Sequence, residues 1–231
     1  MKKTIKIGFV IGVILLMAQS TWALPIVAGG IGTGDTVTMN NTDDTAMYKM
    51  TKTGGTGAWS EYYTFCLESS VSFWRGYNYR VGSVEDYATH GGPDNQGPYN
   101  NDPNWVSGDN KDYLSDETKW LFASYTNDPG SYDAWEVQQT IWWLEDEDKG
   151  DDSFWSSYDF NAVGDLDAFL AGWDIKAVNL VYDYQSNGQQ KEWEIQSQLV
   201  GSYNPVPEPA TMILFGIGLL GIAGMGRKKI K

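Results

Sequence analysis

The sequence predicts an α+β fold, with an antiparallel, barrel-like β-sheet core and a small inserted helical subdomain. Three observations carry this. Segments alternating with period 2 and rich in aromatic and β-branched residues occupy the early and late parts of the chain. Two segments with helical spacing lie between them. The resulting order of strands, then helices, then strands is that of an α+β domain rather than of alternating βαβ units.

Taken in order, residues 35–39 and 46–52 read as short strands around the turn 40–44. The stretch Gly54-Gly55-Thr56-Gly57 turns the chain into Tyr62–Glu68, a strand with Tyr63, Phe65 and Leu67 on one face and Thr64, Cys66 and Glu68 on the other. After the break Trp74-Arg75-Gly76-Tyr77, residues 78–84 form a further strand. A polar loop over 89–112, rich in Gly, Pro, Asn and Asp and holding the sole histidine, His90, is long enough to be functional or mobile. Ser115 caps a first helix with Asp116 and Glu117 in its first turn. A second helix, capped by Ser131, runs to about Glu147 with the apolar stripe Ala134, Val137, Ile141 and Leu144. Gln138 borders that stripe, where a buried amide needs hydrogen-bond partners. The run 145–152 matches no calcium loop and reads as a solvated acidic helix end. A short helix over 163–171 leads to strands at 175–184 and 191–200, joined at Ser186-Asn187-Gly188.

The two ends of the chain differ in kind from its middle. Lys2, Lys3 and Lys6 precede an apolar run from Ile7 to Met17, and Thr21 and Ala23 stand before Leu24, which is the pattern of a secretory signal peptide over 1–23. Residues 24–204 form the main domain. Residues 205–231 hold Pro207-Glu208-Pro209, the apolar run 210–226 and the basic end Arg227-Lys228-Lys229-Ile230-Lys231, which reads as a transmembrane helix with its basic end in the cytoplasm. The whole chain carries a net charge of −14, and without the seven basic and one acidic side chains of the two ends the middle carries about −20. That surface excludes nucleic acid as a partner and lacks the clustered cations that phosphate binding needs. No cofactor or metal is expected.

Cys66 is the only cysteine, so it has no partner for an internal disulfide. Burial as a small apolar side chain, an intermolecular disulfide and a Cys/His pair with His90 all remain open from the residues alone. The Pro-Glu-Pro tail resembles the PEP-CTERM sorting signal in all three of its parts. That resemblance implies recognition and cleavage by an exosortase in a Gram-negative, exopolysaccharide-producing bacterium. The expected route is export through the inner membrane, with membrane contact through the C-terminal helix before processing. The processed protein then lies at the cell surface or in the extracellular matrix.

A second resemblance covers about residues 36–200. Phe65-Cys66-Leu67 and Val137-Gln138-Gln139-Thr140-Ile141-Trp142 are similar to the cysteine and glutamine motifs of the thioester domains of bacterial surface adhesins, and Ile195–Val200 is similar to their closing strand. The chain departs from that pattern in having Val137 before the glutamine, Thr140 in place of alanine and no glutamine at 118–121. The resemblance implies a Cys66–Gln138 thioester supported by Phe65, Ile141 and Trp142. Such a bond would attach the protein to an amine- or hydroxyl-bearing partner in a single-use reaction rather than enzymatic turnover. The alternative is a non-covalent matrix or carbohydrate-binding protein. In it Cys66 is structural, and exposed members of the set Trp74, Trp105, Trp155 and Trp173 stack on sugars.

Overall fold

The structure is a computed structural model that describes residues 30–41, 48–55, 61–69, 71–89, 111–145, 147 and 150–203. The signal segment, the tail with Pro207, Glu208 and Pro209, His90 and Trp105 lie outside the described residues. The strands are β1 (Thr36–Asn41), β2 (Tyr48–Gly54), β3 (Glu61–Cys66), β4 (Asn78–Glu85), β5 (Tyr87–Ala88), β6 (Asp112–Tyr113), β7 (Trp173–Ser186) and β8 (Gln189–Tyr203). Between β6 and β7 come the helices α1 (Asp116–Asn127), α2 (Ala134–Leu144) and the short α3 (Leu166–Leu170).

The architecture is α+β: a six-stranded antiparallel sheet carrying a small helical region. The strand order is β1-β2-β3-β8-β7-β4, with β1 returning to β4. The expected barrel-like core is corrected by the distribution of pairing, while the small helical region expected between the strands is present. Pairing around the sheet is uneven. The β7–β8 ladder runs from Trp173↔Tyr203 to Ser186↔Gln189, whereas β3 meets β8 only at Phe65↔Leu199 and Cys66↔Gln198, and β1 meets β4 only over Thr36–Thr38. The sheet is therefore not an evenly laddered barrel but a long β7–β8 ribbon with shorter strands joined to it. Nor are the helices a separate subdomain. Trp120, Leu121, Val137 and Ile141 share one core with Phe65 and Leu199 of the sheet.

A second core, with Met39, Met50, Tyr79, Leu180 and Ile195, fills the opposite face. Between them the two cores explain the alternation along β3: Phe65 and Leu67 face the helices, and Tyr62 faces the second core. The ribbon turns at Asn187 (φ 53°) and Gly188 (φ 74°). Two successive positive φ values give a two-residue hairpin whose twist matches that of the strands, and an Asn-Gly pair tolerates them. Among the polar groups, Lys52 Nζ lies 2.6 Å from Asp35 Oδ2 with both side chains buried.

Local signals place the helix starts, with one change. Ser115 caps α1 by accepting from Thr118 N at 3.1 Å. The cap of α2 is Asp133 rather than Ser131, which belongs to a preceding 3₁₀ turn. The acidic run after α2 is also corrected, since Glu145 and Glu147 are buried rather than solvated. Glu145 accepts from Ser115 N, Ser115 Oγ and Thr118 Oγ1, so it satisfies the start of the neighbouring helix. Glu147 accepts from Ser69 N at 2.8 Å and Ser69 Oγ at 2.9 Å.

Among the described residues no helix is long and apolar enough to cross a membrane. The longest, α1, has 12 residues, against about 20 for a spanning helix. The expected transmembrane helix, and the membrane partnership that rested on it, finds no counterpart among the described residues, and the apolar run 210–226 on which it was placed lies outside them.

Candidate functional site

Cys66 closes β3 and is 1% exposed. Among the described residues the β2–β3 ladder ends at Tyr48↔Thr64. Leu67 N donates to Ser197 O at 3.0 Å, which points the Cys66 amide away from β8 and toward the other side of β3. Gln138 meets it there. Cys66 N donates to Gln138 Oε1 at 2.8 Å, and Gln138 Nε2 donates to Cys66 O at 2.8 Å. The side-chain amide thus takes the place of a strand's peptide group, which is why a fully buried glutamine is stable on an apolar helix stripe.

The sulfur meets a different glutamine. Cys66 and Gln198 stand opposite each other in the β3–β8 register, so their side chains share a face. Gln198 Nε2 lies 3.5 Å from Cys66 Sγ and Gln198 Oε1 lies 3.9 Å from it. The Gln198 amide also contacts Thr64 Oγ1 and Gln196 O, both at 3.3 Å. Both the predicted glutamine and this second one therefore approach Cys66, the first at its backbone and the second at its thiol. Of the supporting residues, Phe65 packs edge-on to Tyr125 at 5.1 Å and Ile141 is fully buried in the same core.

A cleft of about 190 Å³ reaches Cys66, lined by Ser69, Phe73, Arg75, Trp142 and Gln196 among others. Trp142 is 9% exposed, and its indole N–H is buried with no hydrogen-bond partner. A buried donor left unpaired costs free energy, so the Trp142 N–H is a polar cost carried by the packing beside this cleft. Of the alternative tryptophans, Trp74 is exposed, whereas Trp155 and Trp173 pack against the helix-side core.

The electrostatics are those of a dry interior. Burial pushes the Cys66 thiol well above its ordinary range, opposed by the Gln198 contact and reinforced by Glu68. Burial likewise raises the Glu68 carboxyl to about 7, although Ser197 N and Oγ both donate to it. Among the described residues no group of three or more His, Cys, Asp or Glu could hold a metal ion.

Gln198 was the site residue least visible in the sequence. Its signal was a pair of amides, Gln196 and Gln198, in a strand with the apolar Ile195, Leu199 and Val200, where a buried amide needs a partner. Which partner depends on a register set across 132 residues of sequence.

The fold and this site define a sheet protein with a buried cysteine whose backbone is held by one glutamine amide and whose thiol faces another. Comparison with known proteins adds the tail: residues 205–228 match the PEP-CTERM protein-sorting motif. The motif supports exosortase-dependent sorting to the cell surface or the exterior, and proteins that bear it are typically structural or surface proteins rather than catalysts. No curated protein and no solved structure matches the chain.

Proposed function

We propose that this is a surface-sorted attachment protein whose Cys66 forms an internal thioester with a glutamine side chain and transfers that acyl group to an amine or hydroxyl of a partner. The observation that carries it is the Cys66 sulfur lying against the Gln198 amide in a buried site, with the Cys66 backbone held by Gln138. In this reading Gln198 supplies the acyl carbon, and Gln138, the partner expected from the resemblance, is a positioning residue.

The chemistry balances without a cofactor. The sulfur attacks the carboxamide carbon, the thiol proton passes to the departing nitrogen, and one ammonia leaves as the C–S bond forms. A partner amine or hydroxyl then attacks the thioester carbonyl, which breaks the C–S bond and returns the proton to sulfur. The raised thiol pKa keeps Cys66 protonated and unreactive toward other reagents until the bond forms. Exclusion of water protects the acyl group afterwards.

Intact-mass measurement of the processed protein tests this. The expected mass is one ammonia short of the sequence mass, and the deficit disappears in Cys66→Ala and Gln198→Ala. Methylamine should restore a freely alkylatable thiol and leave one methylamide, located by fragmentation at residue 198. A methylamide at residue 138 would transfer the acyl role to Gln138. A full-mass protein with a free thiol would sink the thioester altogether.

A further inference from the structure

The β7–β8 ribbon extends past its neighbours. Its last contact with β4 is Arg80↔Val181, and from Tyr182 to Ser186 and from Gln189 to Glu194 the two strands pair only with each other among the described residues. Residues directly opposite in the ladder share a face. The face that buries Leu180 and Ile195 in the second core therefore continues outward as Tyr182 opposite Trp193 and then Tyr184 opposite Lys191.

On this extension the side chains sort by chemistry. Tyr182, Trp193 and Tyr184 lie on one face with Lys191, while Asp183 and Glu192 lie on the other, where both pair with Arg80. No carboxylate of the ribbon falls on the ring face.

The loop before β4 adds two further rings. Trp74 is 5.3 Å from Trp193 and 6.2 Å from Tyr182, and Tyr77 is 6.0 Å from Tyr182, measured between ring centroids. These rings touch one another and yet stay open to solvent: Trp193 is 56% exposed, Tyr77 50% and Trp74 43%. The loop is held in place. The buried Tyr79 hydroxyl accepts from Trp74 N at 2.7 Å and donates to Trp74 O at 2.6 Å, and Gly76 N donates to Met39 O at 2.9 Å. Gly76 has φ +77°, which a residue with a side chain would adopt only under strain.

A contiguous, backbone-fixed group of exposed rings marks a recognition surface rather than leftover core. We infer that Trp74, Tyr77, Tyr182 and Trp193 form a platform for the sugar rings of an uncharged polysaccharide. The C–H face of a pyranose stacks on an electron-rich aromatic face, a sequence-tolerant contact of the kind aromatic platforms make with other planar ligands. An uncharged polymer fits because a domain carrying about −20 repels polyanions, while the ring face itself offers no carboxylate to a polycation. A pre-ordered loop reduces the ordering cost of binding.

Phe73 and Arg75, on either side of Trp74, line the cleft to Cys66. The loop that carries Trp74 therefore also borders the cleft, and binding to the rings does not depend on the thioester proposed above.

Affinity electrophoresis of the full processed protein in gels containing hydroxyethyl cellulose, galactomannan or dextran tests the platform. Expected is retardation by at least one of these polymers that is insensitive to salt and unchanged in Cys66→Ala and in the control Tyr203→Ala. It should weaken at least tenfold in Trp74→Ala/Trp193→Ala and be largely kept in Trp193→Phe. Three results would overturn the inference: no retardation by any of the uncharged polymers, retardation unchanged in the double variant, or salt-sensitive binding confined to alginate. Self-association that the double variant abolishes, seen by sedimentation, would also overturn it by assigning the rings to a second copy of the chain. Because Cys66→Ala keeps the platform, failure here and failure of the thioester are separate outcomes.

Discussion

Two residues of this protein are held by the same device in opposite settings. Gln138 pairs with both the N–H and the C=O of Cys66, and the Tyr79 hydroxyl does the same for Trp74. At Cys66 the clamp sits in a dry interior and leaves the side chain facing another amide. At Trp74 the clamping hydroxyl is buried but the clamped ring is 43% exposed. The contrast teaches that a backbone clamp has two separable effects. In the interior it chiefly satisfies groups that nothing else can reach, so its loss is a stability cost. Near the surface water can substitute, so its loss is mainly one of order.

The largest expected effect breaks the interior clamp. Gln138→Leu leaves the Cys66 N–H and C=O unpaired in a buried site, at about 1–3 kcal/mol for each group. The urea midpoint should fall by several kcal/mol equivalent, and the ammonia deficit should diminish with it even though Gln198 is intact. A midpoint within 0.5 kcal/mol of native, roughly the scatter of neutral surface substitutions, would show that the clamp is dispensable.

The second effect sharpens the electrostatic half of the comparison. Glu68 is raised from 4.5 to about 7 by burial, so the folded state binds its proton more tightly than the unfolded state does. Its contribution to stability is full below about pH 4.5 and is lost as pH rises toward 7, on the order of 3 kcal/mol for a shift of this size. Glu145, raised in the same direction to about 7, adds to the same slope. Denaturation midpoints measured between pH 4.5 and 8 should therefore decline. Glu68→Gln should flatten that decline without abolishing it. An unchanged slope in this variant would place the titration elsewhere.

Removing the outer clamp should matter less to stability. Tyr79→Phe loses the two hydrogen bonds that hold the partly buried Trp74 backbone, about 1 kcal/mol net for each. Its signature should be weaker polymer retardation with a smaller fall in midpoint than Gln138→Leu shows, and a loss of stability as large as that of Gln138→Leu would erase the distinction drawn between the clamps. Smallest of all, Trp193→Ala should stay within about 0.5 kcal/mol of the native midpoint, because an exposed ring contributes little to folding. A larger fall, read by thermal or urea unfolding, would make Trp193 part of the core rather than of a surface.

Much of this molecule was legible locally. The Ser115 cap, the apolar stripe of α2, the alternation from Tyr62 to Glu68 and the Asn187-Gly188 turn are short-range signals, and each element stands within a few residues of its expected place. The burial of Glu145 and Glu147 was not legible, because their partners are Ser115, Thr118 and Ser69, brought together only by packing. The aromatic surface was half legible. Trp74 was a candidate, but Trp193 and Tyr182 join it only through ladder register and the loop's fold.

The amino-acid sequence alone specifies the kind of protein: an acidic α+β domain with a single cysteine, followed by a PEP-CTERM sorting motif. Those properties reside in composition, periodicity and contiguous motifs. The tertiary structure alone decided which amide faces the sulfur. Gln138 was known to lie on a helix and Gln198 on a strand, but the choice between backbone and thiol depends on two things. One is the two-residue meeting of β3 with β8. The other is the packing of α2, which brings Gln138 to the Cys66 backbone on the side of β3 away from β8. Strand register across more than a hundred residues has no local signature, because it follows from the packing of both cores at once.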